Sequence, residues 1–246
     1  MKSLGSVAMQ VAVVLGVALA PGAQAQTLVW EENFNGPSID GSKWTYDVGN
    51  GCQIGLCGWG NGEMQYYTSR PENARIDNGR LVIEARIKTP LVGNGLWPAY
   101  WMLGTIGVWP GRGEIDLMEA GMAAAIANGA ANRRIGAAAH WDYNGAQADY
   151  DTSYTHPVNL HNDFHVYRLT WDPQFLRVSI DGQHYFEFAI SNIKGASLHE
   201  FHQQHYLLLN LAVGGTYTGV TSPAAVTAPL PGKMEIDYIE GWQGFV

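Results

Sequence analysis

The run Phe175-Leu176-Arg177-Val178-Ser179-Ile180, then Asp181-Gly182, then Gln183-His184-Tyr185-Phe186-Glu187-Phe188 reads as a β-hairpin. Two segments rich in β-branched and aromatic side chains flank an Asp-Gly pair, the dipeptide that tolerates the positive φ angles of a two-residue hairpin turn. Similar short runs recur outward from it, at Arg80 to Ile87, Phe164 to Trp171 and Tyr206 to Val213, the last stopped by Gly214-Gly215. The alanine-rich stretch Met122 to Ala131 has helix propensity but contains Gly129 and lacks an amphipathic pattern. It reads as a loop with one helical turn. Short strands throughout, with no linker or repeat, predict a single all-β domain, a sandwich or barrel.

Composition narrows the partners. Charged residues make up 15% of the 246 and the formal net charge is −8, with no basic run longer than Arg133-Arg134. Such a chain gives phosphate backbones and anionic lipid little to hold, so neither a nucleic-acid nor a membrane partner is expected. Nine Trp, 12 Tyr and seven Phe stand among these few charges. Wide apolar ring faces beside scattered acids suit a sugar or another flat neutral ligand better than a polyanion.

The N-terminus carries Lys2, an apolar run from Val7 to Ala20, then Pro21-Gly22 and Ala23-Gln24-Ala25. That order is the signature of a secretory signal, residues 1–25, cut before Gln26. The run falls short of the ~20 residues that span a bilayer, which disfavours a membrane anchor. Residues 26–246 then form one soluble, extracellular domain, expected to be a monomer. Cys52 and Cys57 bracket a glycine-rich loop. In an oxidising compartment a disulfide is the simplest reading, because two cysteines supply only half of a zinc site.

The chemistry concentrates in Gly113-Glu114-Ile115-Asp116-Leu117-Met118-Glu119. On a strand, Glu114 and Asp116 share one face while Ile115 and Leu117 take the other. Glu119 falls on the wrong face unless a β-bulge around Leu117-Met118 absorbs one residue. A helix does worse, since Asp116 would lie about 200° from Glu114. With the bulge, the two Glu are four strand positions apart, about 13 Å between Cα atoms. Side chains leaning together close that to roughly 5–6 Å, the separation of a retaining glycosidase. Three carboxylates so close cannot all ionise cheaply at neutral pH, so at least one keeps its proton. An ionised Glu would attack the anomeric carbon, a protonated Glu would serve the leaving oxygen, and Asp116 would tune both.

The same spacing recurs at Glu235-Ile236-Asp237-Tyr238-Ile239-Glu240, so one copy at least is structural. Their surroundings separate them: the first follows Trp97, Tyr100, Trp101 and Trp109 within twenty residues, the second a Pro-rich loop.

Further motifs carry a resemblance. Gly95-Leu96-Trp97-Pro98-Ala99-Tyr100-Trp101-Met102-Leu103, Trp109-Pro110 and the Glu114 to Glu119 motif resemble glycoside hydrolase family 16 in its laminarinase-like branch. Trp59 to Thr68, Asn210 to Gly215 and Met234 to Tyr238 are similar to three further blocks of that family. The resemblance implies a concanavalin A-like β-jelly-roll sandwich with an open cleft, endo-hydrolysis of β-glucan with retention, most readily β-1,3-glucan, and no organic cofactor. It makes Glu114 the nucleophile, Asp116 the assisting acid and Glu119 the general acid/base. It places Asn61, Glu63, Trp97, Trp101 and Trp109 near sugar subsites and His140 on a neighbouring cleft strand, with a loop-ordering role for Glu63 and a plain strand histidine as the alternatives. It implies a structural Ca²⁺ held by Glu32 and Asp237, whose oxygen ligands suit that hard cation.

One departure stands out. The family has two strands ending in Glu-Ala-Arg-like runs, separated by further structure, whereas here Leu81-Val82-Ile83-Glu84-Ala85-Arg86 passes straight into Ile87-Lys88. About two strands are missing after Arg86. Either the chain is a natural compact variant or it derives from a misassembled gene or splice form. The loss makes a lectin-like glucan-binding module that no longer turns over one alternative to a hydrolase; a transglycosylase on the same site is a separate one.

Overall fold

The computed structural model describes residues 4–5, 27–77, 80–191 and 198–243. Leu4, Gly5, Thr27, Asp77, residues 80–86, Trp242 and Gln243 are described by backbone alone. The expected signal segment, residues 1–25, lies outside the described residues except for β1 (Leu4–Gly5), which pairs with β3 (Thr45–Tyr46).

The hairpin forms as read. Strands β11 (Phe175–Ile180) and β12 (Gln183–Ala189) pair antiparallel with Ile180 opposite Gln183, and the turn residues Asp181 and Gly182 both have positive φ, 49° and 82°. The third strand of this group, β10 (Tyr167–Trp171), starts three residues later than expected. Asp side chains explain the delay: Phe164 N–H donates to Asp163 Oδ1 and Val166 N–H to Asp181 Oδ1, both at 2.8 Å. Amides committed to side chains cannot join a ladder.

A five-stranded antiparallel sheet carries the Glu114 motif. Its order is β13 (His205–Val213), β6 (Leu96–Gly104), β7 (Glu114–Ala120), β8 (Arg134–Tyr143), β9 (Ala146–Thr155). One face places Leu96, Tyr100, Ile115, Leu117, Met118, Ile135 and Leu209 in a core shared with Leu176, Val178, Ile180 and Phe186 of the hairpin group. Burying each large apolar side chain is worth roughly 1.5–3 kcal/mol, which makes this two-layer contact the main stabilising term. The result is the β-jelly-roll sandwich expected. The alanine-rich stretch gives one short helix, α1 (Ala123–Ala127).

Two smaller groups complete the structure. Strand β5 (Arg80–Lys88) pairs with β4 (Arg75–Asp77) and β14 (Glu235–Ile236), while β15 (Ile239–Gln243) pairs with β2 (Thr27–Glu32). The segment from Leu81 to Lys88 is thus one uninterrupted strand across Arg86-Ile87, and among the described residues the next strand is β6. A disulfide joins Cys52 and Cys57. Its loop needs glycine at position 51, where φ is +83° and a Cβ would lie 2.0 Å from the Leu56 carbonyl oxygen.

Candidate active site

The bulge required by the acidic motif is present. On β6, Tyr100 pairs with Met118 and Trp101 with Asp116, so Leu117 is the extra residue of β7. The register to β8 shifts in the same place, between Asp116 and Glu119. Leu117 and Met118 both enter the core, at 2% and 0% exposure, and Glu119 returns to the face of Glu114 and Asp116. A bulge frees a backbone carbonyl from the ladder. Here the Tyr185 hydroxyl, reaching across from β12, donates to the Leu117 carbonyl. The strand neighbours are small where the acids need room: Ala138 is beside Asp116, and Ala99 and Gly136 flank Glu119.

Each acid has a specific partner. Trp109 Nε1–H donates to Glu114 Oε2 and Trp97 Nε1–H to Glu119 Oε1, both at 2.9 Å. His140, opposite Glu114 in the register, places Nε2 3.2 Å from Asp116 Oδ2 and 4.0 Å from Glu114 Oε1. Burial pushes the Asp116 carboxyl up to about 8. Burial and the charge of Asp116 push Glu119 up to about 8 against the opposing pull of the Trp97 N–H. Burial and Asp116 also hold Glu114 well above the ordinary carboxylate range, with His140 and the Trp109 N–H working the other way. The cause is common to all three: ionised oxygens lose water here and face one another. Such a row can hold protons at neutral pH and still offer one anion.

The aromatic residues divide by role. Trp97 is only 9% exposed, because Tyr217 stacks on it at 4.8 Å with an interplanar angle of 14°. Tyr217 also donates to the Glu119 carbonyl at 3.3 Å, so this pair braces the acid and leaves little open ring face. Trp101 donates to Asn210 Oδ1 at 2.7 Å. Trp109, 48% exposed, has the most open face of the three tryptophans expected at the subsites.

Glu63 is buried, and its carboxylate accepts from Asn61 Nδ2 at 3.3 Å and from Gln65 Nε2. Gln65 Oε1 in turn accepts from Val213 N–H at 2.7 Å, and Glu63 bridges Gly214, so this loop is fastened to the end of β13. Gly215 is required there, since a Cβ would lie 3.0 Å from Asn61 O and 3.2 Å from the Trp97 ring. Asn61 and Glu63 are therefore brought beside Trp97, with Glu63 in the loop-ordering arrangement. Gln65, Tyr185, Asn210 and Tyr217 join the site without having been singled out. Asn210 and Gln65 stand inside the family-like blocks, and Tyr217 follows the Gly214-Gly215 pair, which was the available signal.

The second acidic repeat does not assemble. Glu235 lies on β14 and Glu240 on β15, strands of two different sheets. The candidate calcium pair does not fit that ion as it stands. Glu32 Oε1 accepts from Phe34 N–H at 2.9 Å, while Oε2 faces the Lys43 ammonium at 3.2 Å and the Trp44 N–H at 3.3 Å. An ammonium already neutralises the charge that would attract Ca²⁺. Asp237 is exposed, and among the described residues it joins Glu32 in no cluster of three or more potential ligands.

A β-sandwich whose central strand carries clustered carboxylates under tryptophan N–H donors defines a class, the sandwich-fold glycosidases that work with paired acids. More narrowly, the chain belongs to Glycosyl hydrolases family 16, whose family model matches residues 68–240, and it falls in the laminarinase-like branch. It is 31% identical over 255 residues to a beta-glucanase of Rhodothermus marinus, covering 86% of this chain and 83% of that protein. The laminarinase catalytic domain of Thermotoga maritima superimposes with a TM-score of 0.74 at 32% identity, covering 91% of this chain and all of that one. A glucan endo-1,3-beta-glucosidase A1 of Niallia circulans is 29% identical over 275 residues, covering 92% of this chain and 39% of that protein. The chain thus spans about two fifths of that longer relative. Because 92% of the chain is about 226 residues, the 275-residue alignment includes about 49 positions that this chain lacks.

Proposed function

We propose that this chain is a retaining endo-glycosidase that hydrolyses β-glucan, most readily β-1,3-linked glucan. The observation that carries the reading is the bulged row Glu114, Asp116, Glu119, with Asp116 buried and both Glu half-buried, whose carboxyls resist ionising together. Glu114 is the nucleophile: the Trp109 N–H and nearby His140 favour negative charge on it. Its carboxylate attacks the anomeric carbon as the glycosidic bond breaks, giving a covalent glycosyl ester. Glu119 is the acid that gives its proton to the departing oxygen and then takes one from the water that hydrolyses the ester. Asp116 sits between them, and His140 orients it at 3.2 Å. Trp109 offers the open ring face for a sugar. The substrate assignment rests on the β-glucan-cleaving relatives. No step passes through a metal ion. Export by the segment 1–25, ahead of a single catalytic domain over 26–246, belongs to the same proposal and rests on Lys2, the Val7 to Ala20 run and Ala23-Gln24-Ala25.

The test is release of reducing ends from β-1,3-glucan. Glu114→Gln and Glu119→Gln are each expected to lower turnover by ~10²–10⁴-fold, the usual weight of such groups. Glu235→Gln should leave it largely intact. Equal loss in all three variants would trace to folding and sink the assignment. Sugar binding by the parent protein with no product would establish the lectin-like alternative, and transfer to an added acceptor sugar would reveal a transglycosylase.

A further inference from the structure

Away from the acidic row, His156, His165 and Asp181 come together at the turn end of the β11–β12 hairpin. One nitrogen of each ring and a carboxylate oxygen lie within 4.8 Å of one another. His165 Nδ1 is 2.7 Å and His156 Nε2 3.7 Å from the same oxygen, Asp181 Oδ2. The two rings meet edge to face, with centroids 4.7 Å apart. We propose that His156, His165 and Asp181 form a Zn²⁺ site that clamps the segments after β9 and before β10 to the hairpin turn.

Three observations carry this. Two imidazoles and a carboxylate are donor types zinc takes, with ligand bonds of about 2.0–2.2 Å, which sets ligand atoms roughly 3.3–3.6 Å apart on a tetrahedron; His156 Nε2 is 3.7 Å from Asp181 Oδ2, and His165 Nδ1, hydrogen-bonded to that oxygen at 2.7 Å, draws back to admit the ion. Two of the three ligands are also held from behind. His156 Nδ1 lies 3.2 Å from the Val158 carbonyl and 3.4 Å from the Val158 nitrogen, the carbonyl being the shorter contact, and Asp181 Oδ1 accepts the Val166 N–H at 2.8 Å. A proton on His156 Nδ1 leaves the lone pair of Nε2 facing the Asp181 carboxylate, two negative ends that a cation between them would join. That is the outer-shell arrangement that fixes the tautomer of a metal-binding histidine. The protein alone also serves the two imidazoles unequally: His165 Nδ1 has Asp181 Oδ2 at 2.7 Å, whereas His156 Nε2 stands 3.7 Å from the same oxygen, beyond hydrogen-bond reach. Asp181, 40% exposed at its side chain, keeps a fourth position open to water. Histidine nitrogens argue against Ca²⁺, which takes oxygen ligands.

The test is titration of the chelator-treated, full-length protein with Zn²⁺ alone, read by calorimetry, and with Co²⁺, read by visible absorption. The parent protein should bind Zn²⁺ and give the intense bands of four-coordinate Co²⁺. Asp181→Asn, which keeps a residue tolerant of positive φ, and His156→Gln should each weaken Zn²⁺ at least tenfold and lose those bands, with glucan turnover in metal-free buffer unchanged. No Zn²⁺ binding by the parent would overturn the site and leave a His-Asp-His hydrogen-bonded cluster. Unchanged affinity in both variants would also overturn it, placing the ion at Glu114, Asp116 and His140. Should both variants fail to fold, the Co²⁺ spectrum of the parent still decides, since weak six-coordinate bands contradict the proposal.

Discussion

Glu119 accepts the Trp97 N–H and carries a carboxyl pushed up to about 8, chiefly by burial and then by Asp116. Two consequences follow at this single residue. As the proposed acid it must hold its proton, so glucan turnover should fall on the alkaline side near pH 8; a pH–rate profile checks this. The second concerns stability. An unfolded Glu titrates near ~4.3, so the folded form binds the proton more tightly than the unfolded one. That contribution is fully present below about pH 4 and is lost as pH rises toward 8. Replacing Glu119 by Gln removes the penalty. The variant should melt a few degrees above the parent at pH 8, at ~2–4 °C per kcal/mol for a chain of this size, and show no such gain at pH 4. Paired melting curves at the two pH values measure it, and a variant less stable at both would contradict this origin. The presence of the acids was legible in the sequence because alternation along a strand is local. The partners that tune them were less so: Tyr217, which braces Trp97, stands 120 residues away in the chain.

The bulge in β7 is an element-scale device. Without the extra residue Leu117, Glu119 would point into the core. The Tyr185 hydroxyl takes up the Leu117 carbonyl from the opposite layer, and burial together with Glu119 keeps that phenol protonated as a donor. Tyr185→Phe strands a buried carbonyl, at a cost of ~1–3 kcal/mol. We expect a matching drop in stability, together with a fall in kcat of about tenfold at near-constant KM, because Glu119 loses its placement while the open face of Trp109 does not. Melting curves and steady-state kinetics read both, and a purely structural Tyr185 would lower stability with kcat intact. The need for a bulge was readable from the parity of Glu114, Asp116 and Glu119; the residue that supports it, Tyr185 on a strand of a different sheet layer, was not. The Asp181-Gly182 hairpin was readable for the same local reason, whereas the late start of β10 depended on Asp181 capturing the Val166 amide from across the turn.

For the whole molecule, the proposed export is consistent with the Cys52–Cys57 bridge, since disulfides persist in oxidising compartments. Protein recovered from the medium should begin at Gln26 and contain no free thiol; N-terminal sequencing and thiol titration under denaturing conditions check it. An uncleaved chain starting at Met1, or two titratable thiols, would count against secretion. The strand β5 runs without a break from Arg80 to Lys88, across the point where the family resemblance implies further strands.

By itself the sequence determined what depends on neighbours in the chain: strand alternation, the positive-φ turn, the close cysteine pair and the parity that demands a bulge. The tryptophans that precede Glu114 already marked out one of the two acidic patterns, and tertiary structure decided that its acids share a face while those of the copy do not. Glu114 to Glu119 lies on one central strand with its apolar neighbours in the core, whereas the Glu235 to Glu240 copy is divided between strands that pair with different sheets. Sheet pairing joins residues remote in sequence, and spacing within one segment cannot specify which strand it will meet.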